Sequence, residues 1–369
     1  MNLRIPGPIP VPDDILEEMS RPMINHRGPE FKEVLYRVTD GLKQVFETEG
    51  DVYILTTSGT GAMEAAIVNT LSPGDRVLCA SAGAFGERFG LIASTYGADV
   101  TDLTFPLAGG VDPDAIRDAL KSGPDIKAVL VVHNETSTGV TNPLQEIAGV
   151  VKGEFDRLLL VDGISSVCSL PLSTDAWGCD VVATASQKGW MLPPGLAFIS
   201  FSERAWQAHA DAAMPRYYLD VSMYKRYLEM GQPPYTPSVS VMFALDLALE
   251  KILNEGMGSV FERHAEAGAA TRSGVKKLGL TLFADEVVAS NTVTAVNVPD
   301  GVDGTRLLGL MREEHGVVLA GGQQSLSGKI FRIGHMGYTT SEDIDGALAA
   351  LAEVLPKVSF APSRVGVTG

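Results

Sequence analysis

Lys188 stands in the run Ala185-Ser186-Gln187-Lys188-Gly189-Trp190, between two apolar stretches and among small or aromatic neighbours. A lysine desolvated in such a place has its charged form disfavoured, so its amine can act as a nucleophile. A solvated loop lysine is the commoner reading of that residue type taken alone. Asp162 follows the apolar run 158–161 and precedes Gly163. An acid at the end of a buried strand is costly unless it is paired or hydrogen-bonded. It reads equally well as a satisfied turn carboxylate or as the partner of a protonated ring nitrogen. The loop Thr56-Thr57-Ser58-Gly59-Thr60-Gly61 follows the apolar run 52–55 and opens a helix at Ala62. Glycine amides, hydroxyls and a helix N-terminus together can cradle a phosphate, although a plain polar loop would look similar. An amine able to form a Schiff base, an acid for a pyridinium nitrogen and a phosphate loop are the parts that pyridoxal phosphate (PLP) requires.

These residues need elements to hold them. Short apolar runs at 52–55, 76–80, 128–133, 158–161, 181–184 and 197–201 predict strands buried on both faces. Helical spacing at 29–47, 62–70, 87–96 and 144–152 alternates with them, after an extended proline-rich arm and a short helix at 13–19. Such alternation predicts an α/β fold whose large domain carries a mostly parallel sheet with helices on both sides. Ligands of such sheets bind beyond the carboxyl ends of the strands, which is where all three features fall. Helices follow at 239–253 and 259–278, and then the texture changes. Runs at 280–283, 292–298, 317–320 and 330–333, with helices at 304–315 and 341–354, predict a smaller C-terminal α+β domain. The expected division is an arm at 1–15, a large domain at 16–255, a small domain at 256–357 and a tail at 358–369.

The chain has 369 residues, more than a single hydrophobic core of roughly 250–300 residues usually supports. A formal charge of -16 argues against nucleic acid or an anionic membrane as a partner, since both need a basic face. Cys79, Cys168 and Cys179 are odd in number and widely spaced, which suits neither a disulfide framework nor a zinc site. We expect a reducing cytoplasm, with no signal peptide, no membrane helix and no metal.

The sequence resembles the class V aminotransferases of PLP fold type I, in particular the alanine–glyoxylate/serine–pyruvate group, over roughly residues 5–355. The resemblance is carried by the run from Thr57 to Ala66, Asn134-Glu135-Thr136-Ser137-Thr138-Gly139, Leu160-Val161-Asp162, Ser186-Gln187-Lys188 and Arg332-Ile333-Gly334. It implies the seven-stranded type of sheet. It also implies Lys188 as the Schiff-base lysine and proton shuttle, and Asp162 as the acid that keeps the ring nitrogen protonated. Ser58, Gly59 and Thr60 would bind phosphate beside Gln187, and Thr136 would lie near the ring hydroxyl. Phe85, which alone would read as core, falls where relatives stack an aromatic on the ring. Tyr235 and Thr236 match a segment that reaches the neighbouring subunit's phosphate, which implies a homodimer with shared sites. Arg332 would take the substrate carboxylate through its planar fork, although an arginine is more often in a surface salt bridge. His26 and Arg27 match a similar pair in relatives, for which closing the edge of the site and a chemical role both stay open. The pocket would be lined partly by the N-terminal arm, the Tyr217–Tyr235 region and residues near Gly321.

The implied reaction is a ping-pong transfer of an amino group from a small amino acid, alanine or serine favoured, to glyoxylate or pyruvate. No clear second arginine is placed for a dicarboxylate side chain, though Arg216 and Arg226 are unassigned; aspartate, phosphoserine and ureidoglycine remain alternative donors, because related members of the superfamily use different ones. A desulfurase or lyase is a further alternative. It is weakened by Gln187 before the lysine and by the lack of a cysteine beyond Cys179. From another class, a non-catalytic phosphate-ligand-binding protein would suit the sheet and loop, but neither of the usual nucleotide-loop patterns follows a strand.

Overall fold

The computed structural model describes residues 1–123 and 125–360. Seven strands form the main sheet: β1 (Val52–Leu55), β2 (Arg76–Ser81), β3 (Asp99–Thr104), β4 (Ala128–Val132), β5 (Leu158–Asp162), β6 (Val181–Ala185) and β7 (Ala197–Phe201). Their order across the sheet is β1-β7-β6-β5-β4-β2-β3. β7 runs antiparallel to β6 and β1, and the other neighbours are parallel. This is the α/β architecture that the alternation predicts. The strand the pattern misses is β3, an edge strand with the polar sequence Asp-Val-Thr-Asp-Leu-Thr, exposed along most of its length. With no fully buried residue, β3 carries no apolar run to read, unlike β1 at the other edge, which is largely buried.

Successive residues of the inner strands serve two cores. Leu78, Ala80, Val129, Val131, Leu159 and Val161 pack on one face with helices α2 (Pro29–Phe46) and α9 (Val239–Glu255). Val77, Cys79, Leu130, Leu160 and Ala183 pack on the other with α3 (Gly59–Thr70) and α4 (Ala84–Thr95). Each fully buried Val or Leu contributes about 1.5–3 kcal/mol, so the sheet is the rigid part of the molecule.

Both α3 and α4 begin three residues earlier than their apolar spacing predicts, at Gly59 and Ala84. Their first turns hold small residues that carry no periodicity. This places Ser58 at a helix N-cap and Phe85 inside a first helical turn. The helix predicted at 144–152 is an α-turn, α6 (Leu144–Ala148), that continues as a π-helical turn over Gly149–Glu154. Three polar helices carry no expectation from the sequence: α5 (Pro113–Ser122), α7 (Glu203–Asp211) and α8 (Val221–Glu229). α1 (Asp13–Glu18) matches its expectation closely.

The C-terminal part packs α10 (Met257–Lys277), α11 (Gly304–His315) and α12 (Ser341–Val354) against an antiparallel sheet with a core of its own. The strands are β8 (Val293–Asn297), β9 (Ala320–Gly321) and β10 (Ile330–Gly334), in the order β8-β10-β9. The strand predicted at 280–283 is reduced to a single bridge between Leu282 and Val296. The run predicted at 317–320 is split. Val317–Val318 pairs in parallel with Asn2–Leu3 of the N-terminal arm, and only Ala320–Gly321 joins β10. The arm is extended, as its prolines require, but it is also stitched into this second core. At the other end, Leu355–Val358 forms a 3-10 turn that buries Val358, and residues 361–369 of the expected tail lie outside the described residues.

Candidate active site

The sequence of crossovers reverses direction between β2 and β4, so the loops leaving their carboxyl ends diverge and open a crevice. Phe85 follows β2, and Glu135 and Thr136 follow β4. Asp162 ends β5, Lys188 follows β6 by three residues, and the 56–61 loop follows β1.

Asp162 is buried at 3% exposure. Its Oδ1 accepts the Ile164 amide at 2.8 Å, and among the described residues no donor meets its other oxygen. Burial pushes its pKa up to about 7, with the nearby Glu135 adding to the rise and Lys188 and Arg88 opposing it. Lys188 is buried at 8% exposure. Its Nζ donates to the Pro6 carbonyl at 2.5 Å. Desolvation brings its pKa down to about 8, Asp162 pulls it back up, and Arg332 lowers it further. An acid kept near neutral pKa and an amine brought down toward it are what proton transfer at neutral pH needs.

The two helix N-termini facing this crevice differ. At α4, the Glu135 carboxylate accepts the amides of Phe85 and Gly86, and the Ser137 hydroxyl accepts that of Ala84. An anion already occupies that end. At α3, among the described residues no acceptor meets the amides of Gly59, Thr60 or Gly61, and the Ser58 hydroxyl makes no cap bond. The N-terminus of α3 therefore has N–H groups to offer an anion, and that of α4 does not. Gly59 also brings the backbone close: a Cβ there would lie 2.6 Å from Ile164 Cδ1. The Gln187 Oε1 is buried without a partner.

Arg332 is not a surface arginine. It lies in β10, buried, with Nε and Nη2 donating to the Gly321 carbonyl at 3.0 and 2.8 Å and Nη1 to the Thr136 carbonyl at 3.0 Å. A guanidinium has five N–H donors, so three bonds leave two free for an incoming carboxylate. Its bond to Thr136 joins the C-terminal part to the crevice. The Thr136 hydroxyl donates to Ser165, within a buried network that includes Asn134 and Thr292. Phe85 is half-buried, with the Arg88 guanidinium 4.9 Å from its ring centroid.

Tyr235 and Thr236 sit on a surface loop rather than in the crevice. Tyr235 stacks on Tyr218 with ring centroids 4.9 Å apart and donates to the Tyr217 carbonyl. The Tyr218 hydroxyl in turn reaches the Thr56 carbonyl at 3.0 Å. Arg27 donates to Gln232 and to the Pro234 carbonyl, so it braces this loop. Arg216 is committed to the Val68 and Ala212 carbonyls and lies near Asp220.

One role escaped the sequence reading: Glu135 lies just beyond an apolar strand, yet it was read only as part of a motif. The N-terminal arm, expected to line part of the pocket, lies over Lys188 through Pro6 and Gly7.

A family model described as Aminotransferase class-V matches residues 16–346. A "Soluble hydrogenase, small subunit" from Synechococcus is 42% identical over 97% of this chain and 94% of its own length. An L-aspartate–glyoxylate aminotransferase from Paracoccus denitrificans is 38% identical over 98% of this chain and 92% of its own. The solved structure of an alanine–glyoxylate aminotransferase from Nostoc superposes with a TM-score of 0.92 at 32% identity, covering 96% of this chain and 94% of that one.

Proposed function

The chain belongs to the class-V aminotransferases, which are PLP-dependent enzymes, and from that membership we propose that it moves the amino group of a small amino acid, alanine or serine favoured, to glyoxylate or pyruvate. The observation that carries this reading is Lys188: a buried amine with a pKa brought down to about 8, between an acid and an arginine with donors to spare. The acceptor rests on two relatives whose names share glyoxylate. A small neutral donor fits the backbone commitments of Arg216, which leave it poorly placed to bind a second carboxylate.

When bound, PLP supplies an aldehyde that condenses with amines and a ring that accepts the electron pair released at the amino acid's Cα. Asp162 holds the proton at the ring nitrogen, a role suited to a buried acid whose second oxygen lacks a protein donor. The free amides of Gly59 and Thr60, with the Ser58 hydroxyl, would hold the phosphate, and the resemblance would put Gln187 beside them. Arg332 grips the substrate carboxylate with its two remaining N–H groups. Lys188, neutral in part near pH 8, would take the proton from the substrate's Cα at its Nζ and hold it for return.

One competing chemistry finds little support. Cys79, Cys168 and Cys179 are buried, with pKa values pushed up to about 12, so none is a ready thiolate for a desulfurase. The buried, unpaired cysteines accord with a reducing cytoplasm.

We read the working unit as a homodimer. Tyr217, 81% exposed, and the Tyr218–Tyr235 stack form an aromatic surface beside the phosphate loop that a second copy would cover. Light scattering of the purified protein tests this, and a monomer at micromolar concentration would refute it. The reaction itself is tested by the absorbance of the holoprotein with single amino acids. A visible cofactor band that bleaches with alanine or serine and returns with glyoxylate is the expected result. A band that no amino acid moves would refute the transaminase reading.

A further inference from the structure

The arm crosses Lys188 at bonding distance. The Arg4 carbonyl accepts the Gly334 amide at 2.7 Å, and the Ile9 amide donates to the Gln187 carbonyl. Between these anchors the Pro6 carbonyl meets Lys188 Nζ. Gly7 has a φ of +139°, a conformation that L side chains rarely adopt. A Cβ there would stand 2.7 Å from Lys188 Nζ, 2.9 Å from Cε and 3.0 Å from Cδ. Ile9 is buried and packs its Cδ1 against Gly337, beside the Lys188 carbonyl.

In amine exchange the donor's nitrogen takes the place that the lysine nitrogen leaves. What surrounds Lys188 Nζ therefore surrounds the donor's Cα and the first atoms of its side chain. We propose that the backbone of residues 6–8 is the wall against which the donor's side chain is measured, and that Gly7 is the residue that sets its clearance. The wall is main chain, held at both ends by backbone hydrogen bonds, so it yields less than a side chain would. It offers the Pro6 carbonyl and no cation, which selects donors with a short neutral side chain over acidic or bulky ones. This inference rests on the transaminase reading and narrows it.

The test compares the wild-type holoprotein with Gly7→Ala, using absorbance titration with glycine, alanine, serine and aspartate. Binding of 2-methylalanine, which has no Cα proton to give, is measured alongside as a readout independent of turnover. In Gly7→Ala every donor should weaken, because the added Cβ also meets the place of the donor's nitrogen, but alanine, serine and 2-methylalanine should weaken roughly 10- to 200-fold more than glycine. A loss that is equal across the series, or no loss, overturns the proposal. Ile9→Ala removes the prop under the arm and should move selectivity the other way, raising binding of longer neutral donors relative to alanine about tenfold. An unchanged donor profile in Ile9→Ala overturns the proposal even where Gly7→Ala fails to fold. A wild-type protein whose cofactor band answers to no amino acid refutes the transaminase reading, and this inference with it.

Discussion

Burial raises the pKa of Asp162 from 3.8 to about 7, so the folded cofactor-free protein holds that proton where the unfolded chain has lost it. Stability from this group is full below about pH 4 and is lost as pH rises toward 7. For Lys188 the folded value falls from 10.5 to about 8, so its contribution is full above the unfolded value and is lost as pH falls toward 8. The apoprotein should therefore be penalised most between the two, near neutrality, where both groups are charged and buried. For Asp162 the swing is at most roughly 4 kcal/mol. Urea titration of the apoprotein should give a midpoint that falls more steeply between pH 4 and 7 for wild type than for Asp162→Asn. Matching slopes would mean that another group carries the effect. The same acid should matter once the cofactor is bound, because asparagine cannot hold a proton at a ring nitrogen. Asp162→Asn should retain PLP absorbance while losing roughly 100- to 10,000-fold in the rate at which an amino acid bleaches it, measured by stopped flow. Asp162 and Lys188 were legible in the sequence because each follows an unbroken apolar run. Glu135 follows one too, and was read only as part of a motif.

At the scale of elements, the contrast between α3 and α4 underlies the proposed phosphate site. Four hydrogen bonds from Phe85, Gly86 and the amide and hydroxyl of Ser137 hold the Glu135 carboxylate, and these offset the burial that raises its pKa. Glu135→Gln turns one oxygen into a donor that faces other donors. The first turn of α4 would then shift, and Phe85 with it. A penalty of about 1–3 kcal/mol corresponds to PLP affinity weakened by roughly 5- to 150-fold, measurable by equilibrium dialysis. An unchanged affinity would mean that Phe85 does not depend on this anchor. None of this could be read from periodicity, which locates the buried stripe of a helix and not its first turn. The same limit explains the late predicted starts of α3 and α4, whereas α7 and α8 were missed because each is nine residues long and buries only one or two of them, too short a stripe to read. The buried strands β4 to β7 were readable because both their faces are covered.

At the scale of the molecule, the arm holds two cores together. Asn2 and Leu3 pair with Val317–Val318, and the Asn2 side chain donates to the Asp343 carbonyl. The buried Arg4 guanidinium donates to the Thr339 hydroxyl at 3.0 Å and lies 3.7 Å from the Asp343 carboxylate. From α10, His264 accepts the Gly337 amide and Arg263 donates to its carbonyl, so the loop under Ile9 is clamped from behind. Arg4→Met keeps the volume and removes the polar anchors. Asp343 is one-third exposed and can be rehydrated, so the stability cost should be about 1–3 kcal/mol and not that of a fully buried orphan charge. The functional cost should be larger and of a particular kind. A loosened arm leaves PLP held by the sheet, so the cofactor band should persist. The wall over Lys188 and the position of Arg332 would both be less defined, so KM for the amino donor should rise by about tenfold or more while kcat falls less. Steady-state kinetics beside a thermal melt separate the two effects. A variant that melts lower but keeps its KM would make the arm a structural clasp only, without influence on the substrate.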